Sequence, residues 1–334
     1  MSAITPERAV ATVMILALTA YALFGGADFG AGVWMLLDRG PRAESRRRVI
    51  EHAIGPIWEA NHVWLIIVVV LLFTAFPAAF VAIMITLHIP VSLMLAGIVL
   101  RGSAFVFGAH ARGARARRRW RVAFEVSSAA TPILLGTIVG AIAAGRVETR
   151  PDRPLDLLWS WLSPFPIVVG LLTLALFSYL AAVYLTLESD DRAVRDDFRL
   201  RALAGAVASG VLAYAVYLLA RSEAPLVFEG LGASRWGLPV RIATGVCATA
   251  ALAALRLRRY RAARVAATAQ IALILWGCAL AQRPYLVPPD LTIQNAAAPA
   301  AVLRLLLGAL AAGSIILFPS LFYLFRIFKR RPAG

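Results

Sequence analysis

Three groups of ionisable side chains lie inside or at the edges of long apolar stretches. A charge there costs several kcal/mol unless it is paired or reaches water. The first is Asp28, in the run Tyr21-Ala22-Leu23-Phe24-Gly25-Gly26-Ala27-Asp28-Phe29-Gly30-Ala31-Gly32-Val33-Trp34. A carboxylate in that position can accept a proton or partner a buried base. It can equally sit near the headgroups, capping the helix or pairing with Arg39, and both readings stand. Gly26 and Gly30 bracket it at a spacing that lets a neighbouring helix come close and shields the acid from lipid.

The second group is Ile54-Gly55-Pro56-Ile57-Trp58-Glu59-Ala60-Asn61-His62-Val63-Trp64. Glu59 and His62 are three apart and so share a helix face. An acid and an imidazole one turn apart can relay protons, or simply satisfy each other. Asn61 lies beside them. Trp58 and Trp64 flank the group, and tryptophan concentrates at the membrane–water boundary, which favours a shallow position. The third group is Arg101 with Glu125-Val126-Ser127-Ser128, on either side of one arginine-rich turn. Glu125 is expected to pair with Arg101 or Arg121, or to be ordinary interfacial charge.

Other chemistries find little support. Of His52, His62, His88 and His110, only His88 is alone in mid-span, beside Pro90, and a lone histidine there reads as a hydrogen-bonded core residue rather than a haem ligand. Cys247 and Cys278 lie in apolar runs without metal-ligand spacing and read as packing residues, with no disulfide expected. No CxxCH, Walker A, GxGxxG or HExxH pattern occurs.

The elements that must position these groups are membrane helices. The chain is 60% hydrophobic and 16% charged, whereas a soluble domain carries roughly 25% charged residues. The charges cluster between apolar runs long enough to cross a bilayer. The expected spans are 9–37, 52–76, 79–107, 122–145, 161–187, 202–221, 238–255, 265–282 and 300–325. Ala9 to Ala27 reads as a retained first helix rather than a signal peptide, because Glu7 precedes it and no A-x-A site ends it.

The net charge of +16 does not point to nucleic acid, because the arginines sit at the ends of apolar segments rather than on one basic face. Alternate loops, from Arg39, Arg112, Arg192, Arg256 and Arg326 onward, hold twenty-four of the basic residues, against nine on the opposite set. The positive-inside rule then sets the N-terminus outside and the C-terminus in the cytoplasm. The outer loops are short and proline-rich, so function must lie within the membrane or at its edges.

The block Gly26-Ala27-Asp28-Phe29-Gly30-Ala31-Gly32 resembles the glycine-rich block of the first helix in subunit II of cytochrome bd quinol oxidase. Ile54 through Ile66 resembles that family's PxW(D/E)GNxVWLI signature, continued by Phe73-Thr74-Ala75-Phe76-Pro77. Arg101, Phe124-Glu125-Val126-Ser127-Ser128, Ser163-Pro164-Phe165 and Tyr285-Leu286-Val287-Pro288-Pro289 follow in the family's order. The resemblance runs from about residue 20 to about 325, and its first hundred residues carry most of its specificity.

The resemblance implies an all-α integral membrane protein of about nine transmembrane helices, with residues 1–334 forming one polytopic domain. It implies a first four-helix bundle over about 9–145, and a second bundle plus a last peripheral helix over about 161–325. It also implies a haem-poor subunit II of a quinol:oxygen oxidoreductase in a bacterial cytoplasmic membrane, not catalytic alone. The partner would be subunit I, carrying haem b, haem d and the quinol site; a small accessory subunit, and a quinone as substrate or structural ligand, are further expectations.

Asp28 then matches the family's buried acid of the first helix, and Glu59 the acid after the signature tryptophan, commonly aspartate. With His62 they are the candidate proton pathway, supported by Trp58, Asn61, Trp64, Arg101, Glu125, Gly26 and Gly30. Two departures stand out. Phe24-Gly25 replaces a second acid, and Phe105-Val106-Phe107 with His110 replaces an acid and a lysine found in some members. A proton entrance through those groups is therefore not carried over, and His110 is the substitute at hand. A stand-alone proton-coupled transporter and a purely structural scaffold are the competing readings.

Overall fold

The computed structural model describes residues 5–54, 58–150 and 156–328. Helices dominate because the bilayer core offers no water, so every backbone N–H and C=O must find its partner within its own segment. Among the described residues, eight helices are long and apolar enough to cross a membrane, and one bent pair supplies a ninth crossing when counted as a single span.

The first helix, α1 (Pro6–Leu36), opens on a proline and runs 31 residues. After a short turn come α2 (Ala43–Ile54), α3 (Trp58–Asn61) and α4 (Val63–Ala75). The expected span 52–76 is thus divided: α2 and the stretch Glu59–Ala75 meet at 55°. The expected span 79–107 is divided as well, into α5 (Pro77–Thr86) and α6 (His88–His110). Pro90 explains the break at Leu87, since it lacks an N–H and its ring would strike the Thr86 carbonyl four residues back.

α7 (Ala114–Ala143) and α10 (Arg192–Glu223) both start earlier than expected, because their basic leaders are helical rather than loop. In α10 the cause is visible. Asp191 caps the helix by accepting from the Ala193 N–H at 2.8 Å, and Val194, Phe198 and Ala202 form a buried stripe at four-residue spacing. Between α7 and α10 lie α8 (Trp159–Leu162) and α9 (Pro164–Leu185). The chain continues through α11 (Pro225–Ala233), α12 (Gly237–Arg256) and α13 (Tyr260–Ala281). A small antiparallel hairpin, β1 (Tyr285–Val287) with β2 (Leu291–Thr292), then leads into α14 (Ala300–Phe328).

α1 is the central post, packed on α9, α7, α4 and α13. Glycine makes this possible. A Cβ at Gly26 would stand 2.6 Å from the Phe177 ring, and one at Gly30 would overlap the Phe177 carbonyl oxygen of α9. A Cβ at Gly32 would overlap the Ser128 hydroxyl of α7. The Gly26–Gly30 spacing thus brings α1 and α9 together at backbone distance. The periphery is apolar: on α14, Leu305 is 79% and Ile315 75% exposed, as a lipid-facing helix requires.

Candidate functional site

Asp28 and Asn61 form the centre of the site. Asn61 Nδ2 donates to Asp28 Oδ2 at 2.6 Å, joining α1 to the end of α3, and Asn61 is 6% exposed. Asp28 lies about three turns of helix from Arg39, so the headgroup pairing does not form. Arg39 instead offers its carbonyl to Arg46 Nη2 at 2.8 Å.

Arg101, on α6, is the largest fully buried side chain among the described residues. Its Nη2 donates to the Asp28 carbonyl oxygen and its Nε to Ser128 Oγ, both at 3.1 Å. The guanidinium is sandwiched between aromatic rings, with Cζ 4.8 Å from the Phe29 centroid and 4.9 Å from that of Phe124. Such a clamp suits the planar, weakly hydrated guanidinium and not an ammonium.

Helical phase decides the fate of Glu125. Phe124 and Ser128, four apart on α7, face Arg101, and Glu125 is rotated away from them. The expected Glu125–Arg101 pair is therefore absent. Glu125 makes no ion pair with Arg121 either; among the described residues its buried Oε1 has no hydrogen-bond partner.

Glu59 and His62 do share a face, as their spacing predicts. Both line a groove of about 550 Å³ whose far wall is Ile98, Val99, Gly102, Ser103, Val106 and Phe107 of α6. His62 packs behind it on Tyr21 and Phe29 of α1, with ring centroids 5.9 and 6.0 Å apart. An exposed acid on the groove wall, an imidazole beside it and a hydrogen-bonded carboxylate behind are thus neighbours along two packed helices. Trp64 is half-buried against the core formed with α1 and α9, while the Trp58 side chain lies outside the described residues. His88 is not the mid-span core residue expected: it stands exposed at the break between α5 and α6 and bonds the Ile85 carbonyl of α5 at 3.0 Å, while His110 bonds the Val106 carbonyl one turn back at 2.9 Å.

A second polar centre escaped sequence reasoning. Asp38, whose side chain is completely buried, receives Arg46 Nε at 2.7 Å and Arg201 Nη2 at 2.6 Å on one oxygen. Arg46 also reaches Asp197 at 2.6 Å, and Arg42 joins Asp197 at 2.7 Å. Outside the spans, the Asp197 hydrogen bonds hold the Arg42 guanidinium even further above its usual range, so that charge is permanent. Arg201 lies over the Trp34 ring at 5.3 Å, and Trp34 Nε1 donates to the Ser178 carbonyl at 2.7 Å. The network ties α1, α2 and α10 together at the arginine-rich end. The available signal was a single acid, Asp38, just after an apolar span and surrounded by arginines.

Comparison with known proteins adds independent findings. Residues 7–328 match the family described as cytochrome bd terminal oxidase subunit II. The chain is 26% identical over 322 residues to a putative cytochrome bd menaquinol oxidase subunit II of Bacillus subtilis, covering 93% of this chain and 92% of that one. It is 27% identical over 177 residues to the cytochrome bd-I ubiquinol oxidase subunit 2 of Escherichia coli, covering 52% of this chain and 46% of that one. Its fold superposes on a chain of the bd oxidase structure from Geobacillus thermodenitrificans with a TM-score of 0.80, at 25% identity, covering 97% and 98% of the two chains.

Proposed function

The chain belongs to the cytochrome bd terminal oxidase subunit II family, and from that premise we propose that it stabilises a haem-bearing subunit I and conducts protons to it during the reduction of oxygen to water. Relatives in this family are subunits of quinol oxidases, so the chain is one component of an electron-transport oxidoreductase. The haems and the quinol site belong to the partner on this reading. This chain's contribution is a rigid membrane scaffold with a polar track inside it. The setting is a bacterial cytoplasmic membrane, with the arginine-rich turns and the C-terminus on the cytoplasmic side. The scaffold divides into a first bundle over about 9–145 and a second, with α14 at its edge, over about 161–325.

One observation carries the proposal: Asp28 is hydrogen-bonded to Asn61, which stands in the chain between Glu59 and His62, and those two line an open groove. Glu59 takes a proton from water at the groove and His62 lies beside it. Asp28 receives the proton further in, its carboxylate oriented by Asn61. Arg101 does not carry protons; it fixes the backbone at Asp28 and supplies a permanent positive charge that keeps a second cation out of the track.

The test is quinol-dependent oxygen uptake by the assembled complex carrying Asp28→Asn or Glu59→Gln. Each variant is expected to assemble with full haem content and to turn over slowly. Undiminished uptake in both would remove these residues from the proton route and leave the scaffold role alone.

A further inference from the structure

The turn between α6 and α7 carries an electrostatic conflict. The N-terminal end of a helix bears a partial positive charge and exposes N–H groups that lack partners, so acids or capping side chains normally occupy it. α2 has Glu44 in its first turn, and α10 is capped by Asp191. α7 has neither: its cap residue is Gly113, with φ +92°, no side chain bonds its first N–H groups, and no acid lies in its first turn. In their place stand Arg115, Arg117, Arg118 and Arg119, following Arg112. The chain gathers cations at the positive pole of a helix, where they repel both one another and the dipole.

A cavity accompanies the conflict. Arg112, Arg115 and Arg119 line a space of about 920 Å³ together with Gly113, Ala114, Ala116, Trp120 and Ala123. Among the described residues, none of these three arginines has a carboxylate within ion-pair distance. Other arginines at this end of the molecule do have acidic partners: Arg46 and Arg201 pair with Asp38, and Arg258 with Asp196. Trp120 lines one side of the cavity, its ring tilted at 39° against that of Phe107 with 5.3 Å between centroids. Directly beyond it lies apolar surface: Phe107 is 53%, Val122 47% and Val126 50% exposed.

We propose that the α6–α7 turn is a binding site for an anionic phospholipid, whose phosphate is held by Arg112, Arg115 and Arg119 and whose acyl chains lie along Phe107, Val122 and Val126. The phosphate supplies the missing negative charge at the α7 N-terminus and accepts from its free N–H groups. The apolar continuation selects a lipid over a free phosphate or an acidic protein segment, because only an amphipathic ligand covers both surfaces. The indole at the boundary marks the depth of the headgroup. The headgroup pocket shares no lining residue with the groove of Glu59 and His62; Phe107, on that groove's far wall, is where the acyl chains and the groove meet, and the truth of the lipid site does not depend on the proton route.

The test is native mass spectrometry of the complex extracted from its own membrane, followed by titration with phosphatidylglycerol or phosphatidylcholine nanodiscs. Wild-type complex is expected to retain phosphatidylglycerol and not phosphatidylcholine. A basic side chain near the surface contributes enough that Arg115→Gln alone should weaken retention about fivefold. The triple variant Arg112→Gln/Arg115→Gln/Arg119→Gln should lose more than about tenfold. The matched triple Arg256→Gln/Arg259→Gln/Arg261→Gln, on another basic turn, should leave retention unchanged. Equal losses in the two triples would overturn the site in favour of diffuse surface charge, and no loss would overturn it outright. Displacement of the lipid by millimolar inorganic phosphate would make it a free-phosphate site. Protection of the turn by a co-purifying acidic polypeptide would make it a protein interface. Should the triple variant fail to assemble, Arg115→Gln and Arg119→Gln, each at an exposed position, carry the same comparison.

Discussion

Asn61 holds the Asp28 carboxylate at 2.6 Å from a helix distant in sequence, while Arg101 holds the carbonyl of the same Asp28 at 3.1 Å. One residue of α1 is thus fixed at both its side chain and its backbone, from two different helices. The arrangement orients an acid without neutralising it through a direct ion pair. Asn61→Ala is expected to destabilise the chain by about 1–2 kcal/mol, the usual cost of leaving a half-buried acceptor short of a partner. Asp28→Asn should cost less, because an amide can still accept from Asn61. The double variant Asp28→Asn/Asn61→Ala should fall well short of the summed losses, since both changes remove one interaction. Thermal denaturation of the four proteins in detergent measures this; strict additivity would mean the bond contributes nothing.

Gly30 is where α1 meets α9 most tightly. A methyl there would overlap the Phe177 carbonyl, which is backbone and cannot rotate aside. Gly30→Ala should therefore force α1 and α9 apart and sharply lower the yield of folded protein. Gly210→Ala, also on a membrane helix but with nothing within 4 Å of its added carbon, should be neutral or slightly stabilising. Equal tolerance of the two changes, read by expression and size-exclusion profile, would contradict the packing.

Asp38 and Asp290 both pair with arginine, yet their surroundings differ. Asp38 is completely buried and bridges Arg46 and Arg201, whereas the Arg150–Asp290 pair is half-exposed at the other end of the molecule. Asp38→Asn leaves the Arg201 guanidinium without its counter-charge and Arg46 with Asp197 alone, and should cost about 3 kcal/mol. Arg150→Gln should cost less than about 1 kcal/mol and fade further in high salt. Melting temperatures at low and high salt separate the two cases.

Much of this was legible in the sequence. Apolar runs and arginine clusters gave the helices, and the three-residue spacing of Glu59 and His62 gave their shared groove. The Gly26–Gly30 spacing foretold a close helix neighbour. What sequence spacing could not give was partner identity across helices. Arg101 bonds Ser128 rather than Glu125 because helical phase rotates the acid away, and that phase depends on how α6 and α7 meet. Proline positions did carry the break at Leu87, but the long hydrophobic run over 79–107 masked it. Asp38 was hidden for a different reason: its place after an apolar span among arginines hints at an ion pair, but not that the side chain is fully buried or that Arg201, from a distant helix, reaches it.

Steps in series have a signature that parallel roles lack. If Glu59 hands protons inward to Asp28, blocking either slows the same flux, and the double variant is no slower than the slower single one. Glu59→Gln and Asp28→Asn are each expected to reduce quinol-dependent oxygen uptake, normalised to haem, by at least about a hundredfold, the lower range for loss of a positioned proton-transfer group. Glu59→Asp keeps a carboxylate on the groove wall and should retain most activity. His62→Gln keeps a polar group against Tyr21 and Phe29 but cannot take up a proton, so it separates a relay from a packing role: a tenfold or larger loss, on the order of one weakened transfer step, assigns it to the relay. Multiplied defects in the Asp28→Asn/Glu59→Gln double variant would mean that the two acids act on separate steps, and the single inward track would have to be abandoned.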